Sequence, residues 1–300
     1  MNTTRVKLAG VLAAAIMLQP AIAEAGLFKL KPQGKAPAAA TVSDTAIAEI
    51  QRAFDEDRLT DAGKMLEQAA LREIKDPRLT LMGGYLSLAR GRYQPALDSF
   101  RAAEKEPVTK AKALEGQGIA LSVMNRSDEA IAKLKEAVAL DPAAWKAWNA
   151  LASEYDSRGD WPQAEAAYER AVSLSSSSAL ALNNRGFSRL LQRRPDEAIP
   201  DFVAALQKNP GMAAARTNLR MAMAMRGDYD RSIAGSTQEN EAATLNNAGF
   251  AAMMRGDYAQ AENLLERAMK ARGEYYSRAS ANLELTRSLK AHGEGRVNAP

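Results

Sequence analysis

The chain has no cysteine and one histidine among its 300 residues. The first absence removes thiol nucleophiles, disulfides, zinc–thiolate sites and a lipid-bearing thiol together. The second leaves His292, beside Gly293 near the end of the chain, as the one imidazole. A Ser–His–Asp arrangement would depend on it, and we read it as a bystander. Aromatic residues are only 6% of the chain against 46% hydrophobic residues in all, a balance that favours alanine-rich helices over sheets. Long apolar runs are also missing. The stretch Leu8 to Leu18 holds eleven residues, where a membrane-spanning helix needs about 20. Neither sign of charge dominates: the formal net charge is +4, and losing Arg5, Lys7 and Glu24 with a leader would leave +3. Basic residues are interspersed with acidic ones, which argues against nucleic acid as a partner. No glycine-rich phosphate loop follows a strand pattern, so neither a cofactor nor a metal is expected. The pairs Asp128-Glu129 and Asp196-Glu197 open helices, where carboxylates complement the helix dipole. The chain therefore reads as a non-enzyme; a carboxylate-based hydrolase is the alternative such pairs leave open.

The N-terminus has its own logic. Arg5 and Lys7, the apolar run and Ala23-Glu24-Ala25 before Gly26 form the basic, apolar and small-residue sections of a secretory signal over residues 1–25. The expected product is periplasmic, with no stable membrane insertion after cleavage; an uncleaved anchor is the alternative. Residues 26–42, with Lys29, Lys31, Lys35, Pro32 and Pro37, read as a flexible linker.

From Trp145 to Ser178 a pattern emerges. Trp148, Leu151 and Tyr155 make one helical face, and Trp161, Ala164, Tyr168 and Ala171 make a second. Gly159-Asp160 stands between them as a turn followed by a capping side chain. Two short amphipathic helices so joined fold back as a hairpin. The hairpin recurs at a fixed step of about 34 residues. Ala62, Ala96, Ala130, Ala164 and Ala198 are in phase, as are Leu66, Phe100, Leu134, Tyr168 and Phe202. Small first-helix residues recur as Gly84, Gly118, Ala152, Gly186 and Gly249. This pattern resembles the tetratricopeptide (TPR) repeat, W-x2-L-G-x2-Y, then A-x3-F, then P. The resemblance spans residues 43–275 and implies an all-α fold: a TPR solenoid of about seven antiparallel helix pairs. Residues 276–293 follow as a C-terminal capping helix, and 294–300 read as a disordered tail.

One repeat breaks step. Gly256-Asp257-Tyr258 follows Gly227-Asp228-Tyr229 too early for the period, and Gly235-Ser236-Thr237 stands where a bulky residue and an alanine belong. The helix starting near Asp230 should therefore stop near Ala234.

The TPR resemblance implies a concave face lined by the first helices. Positions assigned to it give Asn183, Asn184, Phe187, Leu190 and Leu191, then Thr217, Asn218, Met221 and Met225, then Asn246, Asn247, Phe250, Met253 and Met254. We take Asn183, Asn184, Phe187, Asn218, Met221, Asn246, Asn247, Phe250 and Met253 as the candidate peptide-binding set. Asparagine can bond both backbone groups of an extended peptide, and methionine adapts to varied side chains. The alternative is that the strip is partly core. A narrower resemblance lies in Leu245-Asn246-Asn247-Ala248-Gly249-Phe250, Arg255-Gly256-Asp257 and Ala281-Asn282-Leu283, which look like the end of TadD-type proteins of the tight-adherence (Flp) pilus machinery. It implies a periplasmic scaffold or adaptor for a protein or peptide partner in the cell envelope, in assembly of a Flp-type pilus or secretion apparatus. An adaptor for envelope polysaccharide export is the alternative. Oligomeric state is not encoded in any of these signals.

Overall fold

The computed structural model describes residues 42–175, 178–272 and 276–297. The leader, almost all of the linker and residues 298–300 lie outside this set. The described residues form fifteen helices and no strand. They are α1 (Val42–Asp55), α2 (Leu59–Leu71), α3 (Pro77–Ala89), α4 (Tyr93–Glu104), α5 (Lys110–Val123), α6 (Ser127–Leu140), α7 (Trp145–Ser157), α8 (Trp161–Leu174), α9 (Ala179–Leu191), α10 (Pro195–Lys208), α11 (Ala213–Arg226), α12 (Tyr229–Ile233), α13 (Glu241–Arg255), α14 (Tyr258–Arg272) and α15 (Ser277–Val297). The chain divides into two compact units between Asn184 and Arg185, within α9. In the first unit α1 packs on α2, α3 on α4, α5 on α6 and α7 on α8, and α2, α4 and α6 also touch the first helix that follows. In the second unit α11 packs on α10, α12 and α13, and α14 is sandwiched between α13 and α15. The last helix runs past Gly293 to Val297, because a glycine with helical backbone angles weakens a helix without ending it.

The repeat period is written into the backbone. Residues with left-handed φ stand at Asp57, Gly91, Asn125, Gly159, Arg193 and Gly227, evenly spaced, and then, after a shorter step, at Gly256. Each follows a first helix. The next N–H in each case bonds the carbonyl five residues back, as in Asp160 N to Tyr155 O at 2.9 Å and Arg194 N to Arg189 O at 2.9 Å. This is the Schellman closure, which satisfies carbonyls a helix end leaves open. It also corrects the expectation for Asp160. That residue opens α8 at φ −83°, ψ 67°, and its side chain makes no capping bond. Its Oδ2 instead accepts from Gln163 Nε2 at 2.6 Å. Asp76, at an extended φ −138°, ψ 124°, does cap, accepting from Arg78 N at 2.9 Å. The closed turn sets the backbone of the former and leaves the latter free to extend.

Small residues and bulky ones meet across each pair. A Cβ added to Gly84 would lie 2.6 Å from Phe100 Cε1, and one on Gly118 would lie 2.5 Å from Leu134 Cγ. The same holds for Gly186 against Phe202 at 2.8 Å and Gly249 against Leu265 at 2.7 Å. Phe100, Leu134, Phe202 and Leu265 are fully buried, as are Ala96, Ala130, Ala164, Ala198 and Ala261. In the opening repeat Ile50 takes the glycine's place and is itself core, packed with Ala53, Phe54, Ala62, Met82 and Leu86. Pro162 and Pro195 fall at the start of their helices, where a missing N–H has no helical partner to lose.

The sixth repeat stops where expected. Its second helix, α12, has five residues, ends at Ala234 with ψ 138°, and is followed by Gly235 at φ +65°.

Candidate peptide-binding surface

The first helices end in Schellman turns and press small residues against their partners, which fixes the face each turns away. The nine candidates divide there. Asn183, Met221, Asn246, Phe250 and Met253 are buried, each less than 10% exposed, whereas Asn184, Phe187, Asn218 and Asn247 are partly exposed. Five of the nine are thus packing residues in the chain itself. For Met221 and Phe250 the reason is helical geometry: three residues after the second asparagine, they turn about 60° away from its line. Positions seven residues after it stay in line with it, and there Leu191, Met225 and Met254 remain partly exposed. In the second unit, α11 and α13 lie side by side and carry Asn218, Met225, Asn247 and Met254 on this line. Leu191 occupies the matching place on α9.

The asparagines bond first to one another. In the first unit Asn183 Nδ2 donates to Asn184 Oδ1 at 3.2 Å, and Asn184 Nδ2 donates to Asn149 Oδ1 at 3.2 Å. In the second, Asn246 Nδ2 donates to Asn247 Oδ1 at 3.3 Å and Asn282 Nδ2 to Asn246 Oδ1 at 3.0 Å. An asparagine ladder therefore ties consecutive first helices, where the sequence reading favoured a ligand over partial burial in the core. A side-chain amide has two N–H groups and two acceptor sites, so the ladder leaves capacity. The Asn247 amide N–H groups meet no protein acceptor among the described residues.

Sequence reasoning also missed two polar clusters. In the second unit Asp201 is buried and held by two guanidiniums: Arg185 donates from Nη2 at 2.6 Å and Nε at 3.0 Å, and Arg189 from Nη1 at 3.0 Å. The spacing of Arg185 and Arg189 by one turn, facing a second-helix aspartate, was the available signal. In the first unit Glu115 is buried beside Tyr85, whose hydroxyl donates to Glu115 Oε1 at 3.5 Å. Burial raises the Glu115 carboxyl above its usual range, with Lys146 and Lys112 pulling it back and Asp141 adding to the rise. Burial likewise lowers the Lys112 ammonium and holds the Tyr85 phenol well above its ordinary value. These groups neutralise one another on the first-helix side of α3, α5 and α7. Every buried side-chain polar atom among the described residues has a partner.

No group of three or more acidic or histidine side chains is arranged to hold a metal among the described residues. His292 is exposed on α15, its Nδ1 bonded to Ser288 O at 2.7 Å. No described helix is long and apolar enough to cross a membrane.

A family profile described as tetratricopeptide repeat matches residues 116–179, 150–213 and 184–235. No curated protein matches the chain. Among solved structures, the C-terminal part of a TPR repeat-containing protein from Cytophaga hutchinsonii is 15% identical with a TM-score of 0.52, covering 79% of this chain and 99% of that one. A tetratricopeptide repeat protein from Parabacteroides merdae is 17% identical with a TM-score of 0.50, covering 81% and 98%. The APC/C hetero-tetramer Cut9–Hcn1 is 16% identical with a TM-score of 0.63, covering 81% of this chain and 49% of that one. At such identities the likeness is one of fold.

Proposed function

The chain carries tetratricopeptide repeats, and from that premise we propose that it is a non-catalytic scaffold whose second unit grips a protein segment along the first-helix face. The observation that carries this reading is the line of Asn218, Met225, Asn247 and Met254, partly exposed on the neighbouring helices α11 and α13. Contiguous apolar groups left in water mark interaction sites. Methionines adapt to varied side chains, and the spare amide capacity of Asn247 suits a peptide backbone. The scaffold works in the periplasm, where the leader pattern of residues 1–25 would deliver it. There it serves assembly of a Flp-type pilus or secretion apparatus, a role supported by the TadD-like segments at Leu245–Phe250 and Ala281–Leu283.

A photo-crosslinking residue placed at Met225 or Met254 in the native host tests the grip. One discrete protein adduct is expected at these positions and none at Arg267, an exposed second-helix control. Combining Phe187→Ser with Met254→Ser should abolish the adduct at Met225 while melting stays within a few degrees. An undiminished adduct at Met225 would show that Phe187 and Met254 do not hold the partner, and no adduct at either methionine in the parent chain would place the partner elsewhere. For the compartment, N-terminal sequencing should start within a few residues of Gly26; an intact Met1 in washed membranes would contradict export and cleavage.

A further inference from the structure

In the sixth repeat the second helix holds five residues, where the other second helices hold 12 to 15. What the lost turns would have covered is still present. In the fifth repeat Arg185 and Arg189 bond Asp201 of the second helix, which identifies their two positions as facing it. The second of these positions is Ala53, Ser87, Leu121, Tyr155 and Ala252 in other repeats, all buried; the first is Gln117, Leu151 and Ala248, buried, with Gly83 partly exposed and Glu49 exposed in the opening repeats. In the sixth repeat they are Leu219 and Met223, and both are partly exposed. Arg220 beside them stands where Gly84, Gly118, Gly186 and Gly249 stand elsewhere. It reaches across the shortened pair, donating from Nη2 to Ala234 O at 3.2 Å and from Nη1 to Thr244 Oγ1 at 3.3 Å. Only neutral oxygens receive it; no carboxylate pairs with Arg220 among the described residues. Arg216, one turn earlier and exposed, likewise bonds only Pro210 O, at 2.6 Å. Helix α11 contains no acidic residue at all. The uncovered place thus has an apolar floor and an unneutralised basic margin.

We propose that this slot between α11, α12 and α13 is a docking site for a partner's short amphipathic helix, apolar on one side and acidic on the other, which completes the sixth repeat from outside. The deficit of seven to ten residues against the other second helices corresponds to two to three turns of helix, about 10–15 Å. The occupant's apolar side covers Leu219 and Met223, beside the place that Arg220 itself takes. Its carboxylates pair with Arg220 and Arg216. The slot lies on the opposite side of α11 from Asn218 and Met225, so it stands whether or not the first-helix face binds a partner.

The test uses the whole chain without its leader and a labelled 14-residue peptide of residues 195–208, blocked at both ends. That sequence supplies the knob Phe202, the alanines and the acidic Asp196, Glu197 and Asp201. Fluorescence anisotropy should show saturable binding, weakened at least about tenfold when the chain carries Leu219→Glu, a loss on the order of 1.4 kcal/mol. Severalfold weakening should follow Arg220→Gln in the chain, or Phe202→Ser in the peptide, which leaves the protein's fold untouched. Inserting five residues after Ile233 to complete α12 should abolish binding by filling the slot. Phe187→Ser with Met254→Ser should leave it unchanged, so failure of the first-helix reading is separable. Binding no tighter than a scrambled peptide, or equal binding to the Arg220→Gln chain and by the Phe202→Ser peptide, would overturn the proposal.

Discussion

The fifth and sixth repeats are neighbours in sequence and opposites in packing. In the fifth, Gly186 leaves room for Phe202, and α10 runs 14 residues. In the sixth the sizes are exchanged: Arg220 occupies the small position, Ser236 the bulky one, and α12 runs five residues. A long, polar side chain on the first helix therefore stands in for a missing apolar one on the second. The exchange bridges the pair but leaves Leu219 and Met223 partly exposed, replacing buried area with hydrogen bonds to neutral oxygens. Hydrogen bonds of that kind add about 1 kcal/mol each, against about 25 cal/mol for every Å² of apolar surface removed from water. The sixth repeat should be the weak joint of the second unit.

The sharpest test of the contrast is a pair of truncations. Phe202→Ala should cost about 3–5 kcal/mol, since a fully buried ring would leave a cavity. Ser236→Ala should change stability by less than about 0.5 kcal/mol. Urea unfolding of both variants reads the difference, and similar losses would erase the distinction between the repeats. Hydrogen exchange measures the same contrast without mutation. Amides of residues 234–241 should exchange at least about tenfold faster than those of 164–174, because a five-residue helix offers few protected groups.

A smaller effect belongs to the turns. Arg193 holds the left-handed conformation that Gly159 and Gly227 hold in adjacent repeats. Arg193→Gly should raise stability by about 0.5–1 kcal/mol, and Gly159→Ala should lower it by a similar amount, both seen as shifts in the urea midpoint. The last effect depends on pH. The Glu115 carboxyl is raised in the folded chain from an ordinary 4.5, chiefly by burial. The folded state then holds this proton after the unfolded state has released it, so stability falls as pH climbs from about 4.5 through the raised value. Glu115→Gln removes that fall. Its stability relative to the parent should be constant in acid and should improve above pH 4.5; a gap unchanged between pH 4 and 7 would contradict the raised pKa.

Much of the fold was legible because it rests on spacing. The fixed step through Ala96, Ala130, Ala164 and Ala198 reports a contact that every repeat must make, and the structure buries each one. The stop of α12 was legible for the same reason: Gly235 and Ser236 cannot supply the knob. The candidate surface was read less well. Asn184 and Asn247 are partly exposed as the pattern implied, but Met221, Phe250 and Met253 are buried, since one sequence position is turned by its own helix and covered by the next. Periodicity gives the first of these terms and not the second. The bonds between helices in the asparagine ladders and the Asp201 cluster escaped because their partners lie 12 to 36 residues away, on side chains that look solvated when read singly. Arg220 could have been found: it is the one large residue at a position otherwise given to Gly or Ala from Gly84 to Gly249.

The broken step has a consequence for register. A strictly periodic stack is nearly degenerate under translation, so an elongated ligand could shift by one repeat and meet much the same contacts. The short interval from Gly227 to Gly256, set among equal longer ones, removes that degeneracy. Any ligand that spans α11 to α13 encounters a spacing found nowhere else among the left-handed turns that follow first helices, and can match it in one frame only. The defect thus works as an origin mark on an otherwise uniform ruler.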